Sequence, residues 1–173
     1  MAHRQSPHAG VINLTSGALA FPATAINSAN ANTLDDYEEG SFTPGIADDD
    51  LDPSGEGQTY HGQVGRYTKV GNRVMYSANV RINSLGTLNT GQQVRITGLP
   101  FTSNNTSGNE AGGFCTGGGD VAYPAAVTPF GRILRNEAYI RVYLWDSTSG
   151  PTGLTIAELS TGGECYVTGS YMT

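Results

Sequence analysis

A strict alternation of apolar and polar residues between positions 73 and 82 constrains the fold of this chain more than any other feature. Every second residue is apolar: Val74, Tyr76, Ala78, Val80 and Ile82. Successive side chains of a β-strand point to opposite sides, so a period of two is typical of a strand with one buried face. The dipeptide Gly71-Asn72 precedes this run and suits a type II′ turn. The pattern therefore predicts a β-hairpin over residues 63–82.

The composition favours strands and turns over helices. The 173 residues include 24 glycines, 8 prolines and a single lysine. Such a composition is typical of short strands joined by tight turns, and the length is enough for one domain with its own core. The expected fold class is all-β: an antiparallel β-sandwich of jelly-roll type over residues 41–173, with its first strand at 41–43. An extended N-terminal arm is expected over residues 1–40.

The charge and hydropathy of the chain exclude two kinds of partner. The formal net charge is −6, and the 9 basic residues are scattered along the sequence. Nucleic-acid binding depends on clustered lysine and arginine, so no nucleic-acid partner is expected. No apolar run approaches the roughly 20 residues of a membrane span, and the first residues lack a convincing secretion signal. We therefore expect no membrane insertion, and synthesis in a cytoplasm.

Two acidic clusters are the candidates for a metal site. They comprise Asp35, Asp36, Glu38 and Glu39, and then Asp48, Asp49, Asp50 and Asp52 followed by Glu56. The second cluster offers the oxygen ligands that calcium requires, but Pro53 and Thr59 occupy the positions of the EF-hand glycine and glutamate. A solvated linker and an exposed loop are the preferred interpretations, with calcium left as the alternative for the second cluster. No metal and no other cofactor is predicted.

Three further segments carry weaker signals. Cys115 and Cys165 are expected to be thiols in a reducing cytoplasm, with one disulfide as the alternative. Residues 102–119, rich in Asn, Ser, Thr and Gly, are predicted to form a long surface loop. Alternation over residues 154–159 and 165–172 predicts two more strands near the C-terminus.

A second predicted hairpin, over residues 127–145, carries the most chemically informative pattern. Its second strand places Ala138, Ile140, Val142 and Leu144 on one face, and Tyr139, Arg141, Tyr143 and Trp145 on the other. We call the latter four residues the aromatic stripe. Aromatic rings beside an arginine can stack on sugar rings and bind their hydroxyls, and the same residue types dominate protein interfaces. Packing or an oligomer interface is the preferred role, and binding of a glycan is the alternative.

No catalytic site is predicted. Asp120, Glu137 and Asp146 are available as carboxylates for glycoside hydrolysis, but no spacing selects a pair of them. Nothing near the lone His61 in the sequence completes a catalytic triad, and no role is predicted for it. The chain is therefore expected not to be an enzyme.

The arm over residues 1–40 has too few apolar residues to form a core. Over residues 1–31 its only apolar clusters are formed by Val11, Ile12 and Leu14 and by Leu19 and Phe21, with small and polar residues between them. Ordering about thirty residues costs more conformational entropy than these side chains can offset. The arm is therefore either a frayed terminus or a segment ordered by another surface.

Three segments resemble a recurrent module of tailed-bacteriophage structural proteins. They are FPATAINSANANTLDDYEEGSFTP (residues 21–44), QVGRYTKVGNRVMYSANV (63–80) and ITGLPF (96–101). In that family the module often forms the C-terminal part of tail fibres and related virion fibres. The resemblance implies a virion location and favours the interpretation of residues 1–40 as a docking or trimerising arm.

The resemblance also implies a function and an assembly. It favours a homotrimeric tail fibre or receptor-binding protein that attaches to a glycan or protein of the host surface. A head fibre or capsid decoration protein is the alternative, because the chain is short for a full tail fibre. The arm would contact other virion proteins in either case.

Overall fold

The computed structural model describes residues 21, 30, 34, 36–52, 55–108 and 110–173. These residues form ten strands and one short helix, and none of their helices is long and apolar enough to cross a membrane. The strands are β1 (Tyr37–Phe42), β2 (Gly45–Ala47), β3 (Thr59–Val70), β4 (Arg73–Ser84), β5 (Arg95–Thr97), β6 (Ala111–Gly117), β7 (Thr128–Ile133), β8 (Ile140–Asp146), β9 (Gly150–Gly153) and β10 (Glu164–Met172). The helix is α1 (Ile156–Leu159).

The ten described strands belong to one antiparallel sheet, which curls into a half-barrel. The strand order is β1-β3-β4-β10-β6-β7-β8-β5-β2, and β9 pairs with β8. The curl turns one side of the sheet towards a shared apolar core, and we call this side the inner face and the opposite side the outer face. The predicted all-β antiparallel class is confirmed, and the curled sheet is consistent with a β-sandwich.

The predicted hairpin at residues 63–82 is confirmed as β3 and β4. Gly71 has a φ of 57° and Asn72 has no positive φ, as a type II′ turn requires. The five alternating apolar residues of β4 are all buried on the inner face: Val74, Tyr76, Ala78, Val80 and Ile82. The period of two therefore identified both the strand and its buried side.

The last strand, β10, occupies the centre of the sheet. Val167 pairs with Ala78 of β4 on one side and with Cys115 of β6 on the other. Val167 and Tyr171 are buried, as the alternation predicted. The Tyr171 hydroxyl donates a hydrogen bond to the Phe101 carbonyl (3.0 Å). Burial raises the pKa of Tyr171 to about 12.

Strand β6 overturns the prediction of one long loop over residues 102–119. Its sequence AGGFCTG lacks regular alternation, but both of its edges pair, with β10 and with β7. A side chain at Gly113 would come within 2.8 Å of the Tyr76 hydroxyl oxygen, so the glycine leaves room for that ring. Cys115 and Cys165 are both buried, and both thiols are free.

The prediction of a strand over residues 154–159 is wrong. The segment contains α1, which begins with a capping box: the Thr155 amide donates to Glu158 Oε2 (2.8 Å), and the Glu158 amide donates to Thr155 Oγ1 (3.4 Å). Ile156 and Leu159 are both buried. Their spacing of three residues places them on one side of a helical turn.

The first strand begins at Tyr37, before the expected 41–43. Glu38 and Glu39 therefore pair in the sheet, opposite Lys69 and Thr68. Their side chains are exposed to solvent, but the interpretation of these two residues as part of a linker is wrong. The strand also crosses the expected boundary between the arm (1–40) and the domain (41–173).

Candidate binding surface

The β7–β8 hairpin presents the aromatic stripe on the outer face. Ile140, Val142 and Leu144 of β8 are buried, and the intervening Arg141 and Tyr143 are half-buried. Trp145 is 51% exposed. The predicted division into two faces therefore holds from Ile140 to Trp145, whereas Ala138 and Tyr139 precede the strand and Ala138 is only half-buried.

The side chains of Glu137 and Tyr139 fix the position of the Arg141 guanidinium. Its Nε donates to both carboxylate oxygens of Glu137 (3.1 Å each), and its Nη2 donates to Glu137 Oε1 and to the Tyr139 hydroxyl (2.9 Å). The Tyr139 hydroxyl donates to Glu137 Oε1 (2.7 Å). The guanidinium also lies 5.3 Å from the centre of the Tyr139 ring. The three side chains form a single network of charge-assisted hydrogen bonds.

The network shifts the ionisation of its members. Desolvation alone would raise the pKa of the Glu137 carboxyl, but the hydrogen bonds from Arg141 and Tyr139 outweigh it and lower that pKa. The same hydrogen bond to Glu137 raises the pKa of Arg141. Glu137 therefore stays a carboxylate and Arg141 a cation at neutral pH.

Tyr143 belongs to a wider aromatic surface. Its ring stacks on Phe130 of β7 with centroids 5.4 Å apart and an interplanar angle of 19°. Phe130 in turn pairs with Phe114 of β6, which is 65% exposed. Glu137, Phe114 and Phe130 also belong to this surface and were not predicted to lie there. The register between β6, β7 and β8 brings them together, and alternation within one strand cannot show which residues of other strands lie opposite.

Three carboxylates of the second acidic cluster converge. Asp48, Asp50 and Glu56 each offer an oxygen within 4.8 Å of the others, a spacing that suits a hard cation such as Ca²⁺. Asp48 is buried, contrary to the prediction that this cluster lies in an exposed loop. Its carboxylate accepts hydrogen bonds from the backbone amides of Asp50 (3.2 Å) and Asn89 (2.9 Å). Desolvation, then the charges of Asp48 and Asp50, raise the pKa of Glu56.

Two of the three carboxylates considered for hydrolysis, Glu137 and Asp146, are engaged in structural contacts. Glu137 is held in the network with Arg141, and Asp146 accepts hydrogen bonds from the amides of Thr148 (2.6 Å) and Ser149 (3.3 Å). These amides lower the pKa of Asp146.

Of the residues expected to dock the arm, one lies in the described part of the chain. The Phe21 ring lies 5.8 Å from the Tyr37 ring of β1, with an interplanar angle of 35°. Val11, Ile12, Leu14 and Leu19 lie outside the described residues.

The fold has a counterpart among solved structures. It is similar to the crystal structure of the Dettilon tailspike protein (gp208), with a TM-score of 0.61 and 20% sequence identity. The match covers 79% of this chain and 24% of the tailspike chain, so this chain corresponds to about a quarter of that protein. No family model and no curated protein sequence matches. At this identity the similarity shows fold alone: this chain folds as part of a tailspike protein does.

Proposed function

We propose that this chain is a non-enzymatic structural protein of a tailed-bacteriophage virion, and specifically a tail fibre or receptor-binding protein that attaches the particle to its host. The motifs at residues 21–44 and 63–80 support the virion assignment through their resemblance to phage fibre modules. The similarity to part of a tailspike supports it independently, because that comparison rests on the fold.

The observation that carries the attachment function is the geometry of the aromatic stripe. Trp145 is half exposed at the end of β8, and Arg141 on the same face is already oriented by Glu137 and Tyr139. Within the described residues Arg141 Nη1 makes no hydrogen bond, so its donors remain for a ligand. An indole face for sugar stacking and a fixed guanidinium for hydroxyl or carboxylate groups suit a glycan of the host surface.

The family resemblance supports two further parts of the proposal, the homotrimer and the docking arm. The chain is a homotrimer, in which the residues of the arm, from Val11 to Phe21, contact other virion proteins, and its curled sheet is of jelly-roll type. It is made in the host cytoplasm and assembled into the virion. Three copies of a weak glycan site on one particle give avidity without any tight single site.

Immunogold labelling of the native virion tests the location. An antibody against residues 36–173 is expected to label the tail. Label on the head lattice would replace the tail-fibre assignment with a head fibre or decoration protein, and absence of label from purified particles would contradict a virion protein altogether.

Competition with the virion tests attachment. The purified chain is expected to reduce adsorption of the phage to its host, and Trp145→Ala and Arg141→Ala are expected to lose this inhibition. Arg135→Ala is the matched control, since Arg135 is an exposed arginine outside the stripe. Inhibition that survives both stripe variants would show that the stripe is not the attachment surface.

A further inference from the structure

We propose that a groove on the outer face binds the acidic loop of a second copy of this chain, so that copies associate head to tail. The acidic loop comprises residues 48–52, between β2 and β3. The inference rests on the trimer of the proposed function, and it names the two surfaces that form the trimer contact.

The groove runs over β3, β4, β10 and β6 and has a volume of about 610 Å³. Ser77, Thr168 and Ser170 line it with small polar side chains, and Met75 and Phe114 are exposed at its walls. An adjoining recess of about 260 Å³ is lined by Val64 and Tyr166, which are also exposed. Apolar side chains gathered on one face of a polar surface mark a site of interaction.

The outer face is basic although the chain is acidic. Its charged residues in the register of the described strands are Arg66, Arg73, Arg81, Arg95, Arg132 and Arg141 against Glu39 and Glu164. Arg95 and Arg141 are paired with Asp49 and Glu137, which leaves four arginines against two glutamates. Arg66 lines the groove and is exposed, and its side chain makes no ion pair or hydrogen bond within the described residues. The groove therefore offers apolar walls and a free cation, and it fits a partner with an apolar side chain beside carboxylates.

The acidic loop has that combination. Leu51 is exposed between Asp50 and Asp52, and both aspartates are exposed as well. The loop is also fixed in place, because Asp48 is buried against the Asn89 amide and Asp49 pairs with Arg95 (2.6 Å). A loop that is ordered before binding loses less conformational entropy in the contact.

The charges decide how the two copies are oriented. Two outer faces brought together would place arginines against arginines, whereas groove against acidic loop places opposite charges together. A contact between two different surfaces of the same chain is heterologous, and repetition of such a contact closes into a ring or continues as a filament. A closed ring of three meets the expectation of a trimer.

Charge reversal tests the contact. Sedimentation velocity of the full chain is expected to show a trimer at micromolar concentration. Arg66→Asp and Asp50→Arg are each expected to weaken association by about tenfold or more, and the double variant to regain it, because every contact again pairs opposite charges. Arg135→Asp, with an exposed arginine outside the groove, is the control and is expected to leave association unchanged. Circular dichroism confirms that each variant is folded.

Three outcomes would overturn the inference: a monomeric wild-type chain at 100 μM (about a hundred times the working concentration), Arg66→Asp that associates as tightly as the wild type, or a double variant that does not recover. The first would also contradict the trimer. None of the three affects the labelling of the virion, so failure of this contact is distinguishable from failure of the proposed virion function.

Discussion

Lys69 of β3 forms an ion pair with Asp36, the residue that immediately precedes β1. Both side chains are largely buried, with 13% and 11% of their surfaces exposed, and the Lys69 ammonium also lies 5.6 Å from the centre of the Phe101 ring. The only lysine of the chain thus fastens the start of the edge strand to β3. Asp36, expected in a solvated linker, is part of the folded domain.

Replacement of Lys69 by methionine is expected to destabilise the chain, because Asp36 would remain as an unpaired carboxylate in a poorly solvated place. We expect a loss of about 2 kcal/mol in urea unfolding, below the roughly 3–5 kcal/mol of a fully buried pair. Addition of Asp36→Asn is expected to restore part of the loss. A Lys69→Met variant as stable as the wild type would show that the pair contributes little, and equal stability of the single and double variants would show that the loss does not come from the unpaired carboxylate.

The stability of the chain is expected to fall in acid, in part through Glu137. Its pKa is lowered in the folded state, so its stabilising contribution is complete above the pKa of the unfolded chain and is lost as the pH falls through the folded pKa. Glu137→Gln is expected to cost about 1 kcal/mol at pH 7. The difference in stability between this variant and the wild type should shrink as the pH falls from 7 to 3. Thermal melts of the wild type and of Glu137→Gln from pH 3 to pH 7 measure this difference. A difference in stability that does not change with pH would contradict this role of Glu137.

Glu56 is expected to have the opposite pH dependence. The pKa of Glu56 is raised in the folded state, so the folded chain favours the protonated carboxyl. Its contribution to stability is therefore complete below the pKa of the unfolded chain and is lost as the pH rises through the folded pKa. Glu56→Gln is therefore expected to raise the Tm at pH 7 and to leave it unchanged near pH 4, measured with EDTA present. Glu39→Gln in the edge strand is the control. A lower Tm for Glu56→Gln at pH 7 would contradict the expectation.

Val80→Asp is expected to prevent folding. Val80 is fully buried in the core on the inner face, and a carboxylate there would have no partner. Asn83→Asp places the same group at an exposed position of the same strand and is expected to remain folded. Soluble expression and circular dichroism compare the two, and a soluble, folded Val80→Asp would contradict the predicted inner face.

The local sequence pattern was sufficient to predict the buried side chains of strands that have one face on the core. The alternation in β4, β8 and β10 predicted which side chains are buried, because a strand has a fixed period of two and each of these strands is solvated on its other face. The turn at Gly71 was predictable for a similar reason, since a positive φ favours glycine at that position.

Local pattern failed where tertiary contacts decide the conformation. The glycine-rich β6 has little strand propensity of its own, and it is a strand because β7 and β10 bind both of its edges. The segment at Ile156 has alternating residues, yet the capping box of Thr155 and Glu158 begins a helical turn there. The signal for that turn, a threonine followed three residues later by a glutamate, was present in the sequence and was overlooked.

The sequence by itself determined the all-β class, the β3–β4 hairpin and the two faces of β8, because these depend on side-chain period and on turn residues close together in the chain. Only the tertiary structure decided which residues from other segments lie beside the stripe. Strand register and loop position place Phe114, Phe130 and Glu137 next to it. Asp36 and Lys69, which form an ion pair, are 33 positions apart in the sequence. Pairing between distant segments depends on how the whole sheet buries its inner face, and no local pattern contains that information.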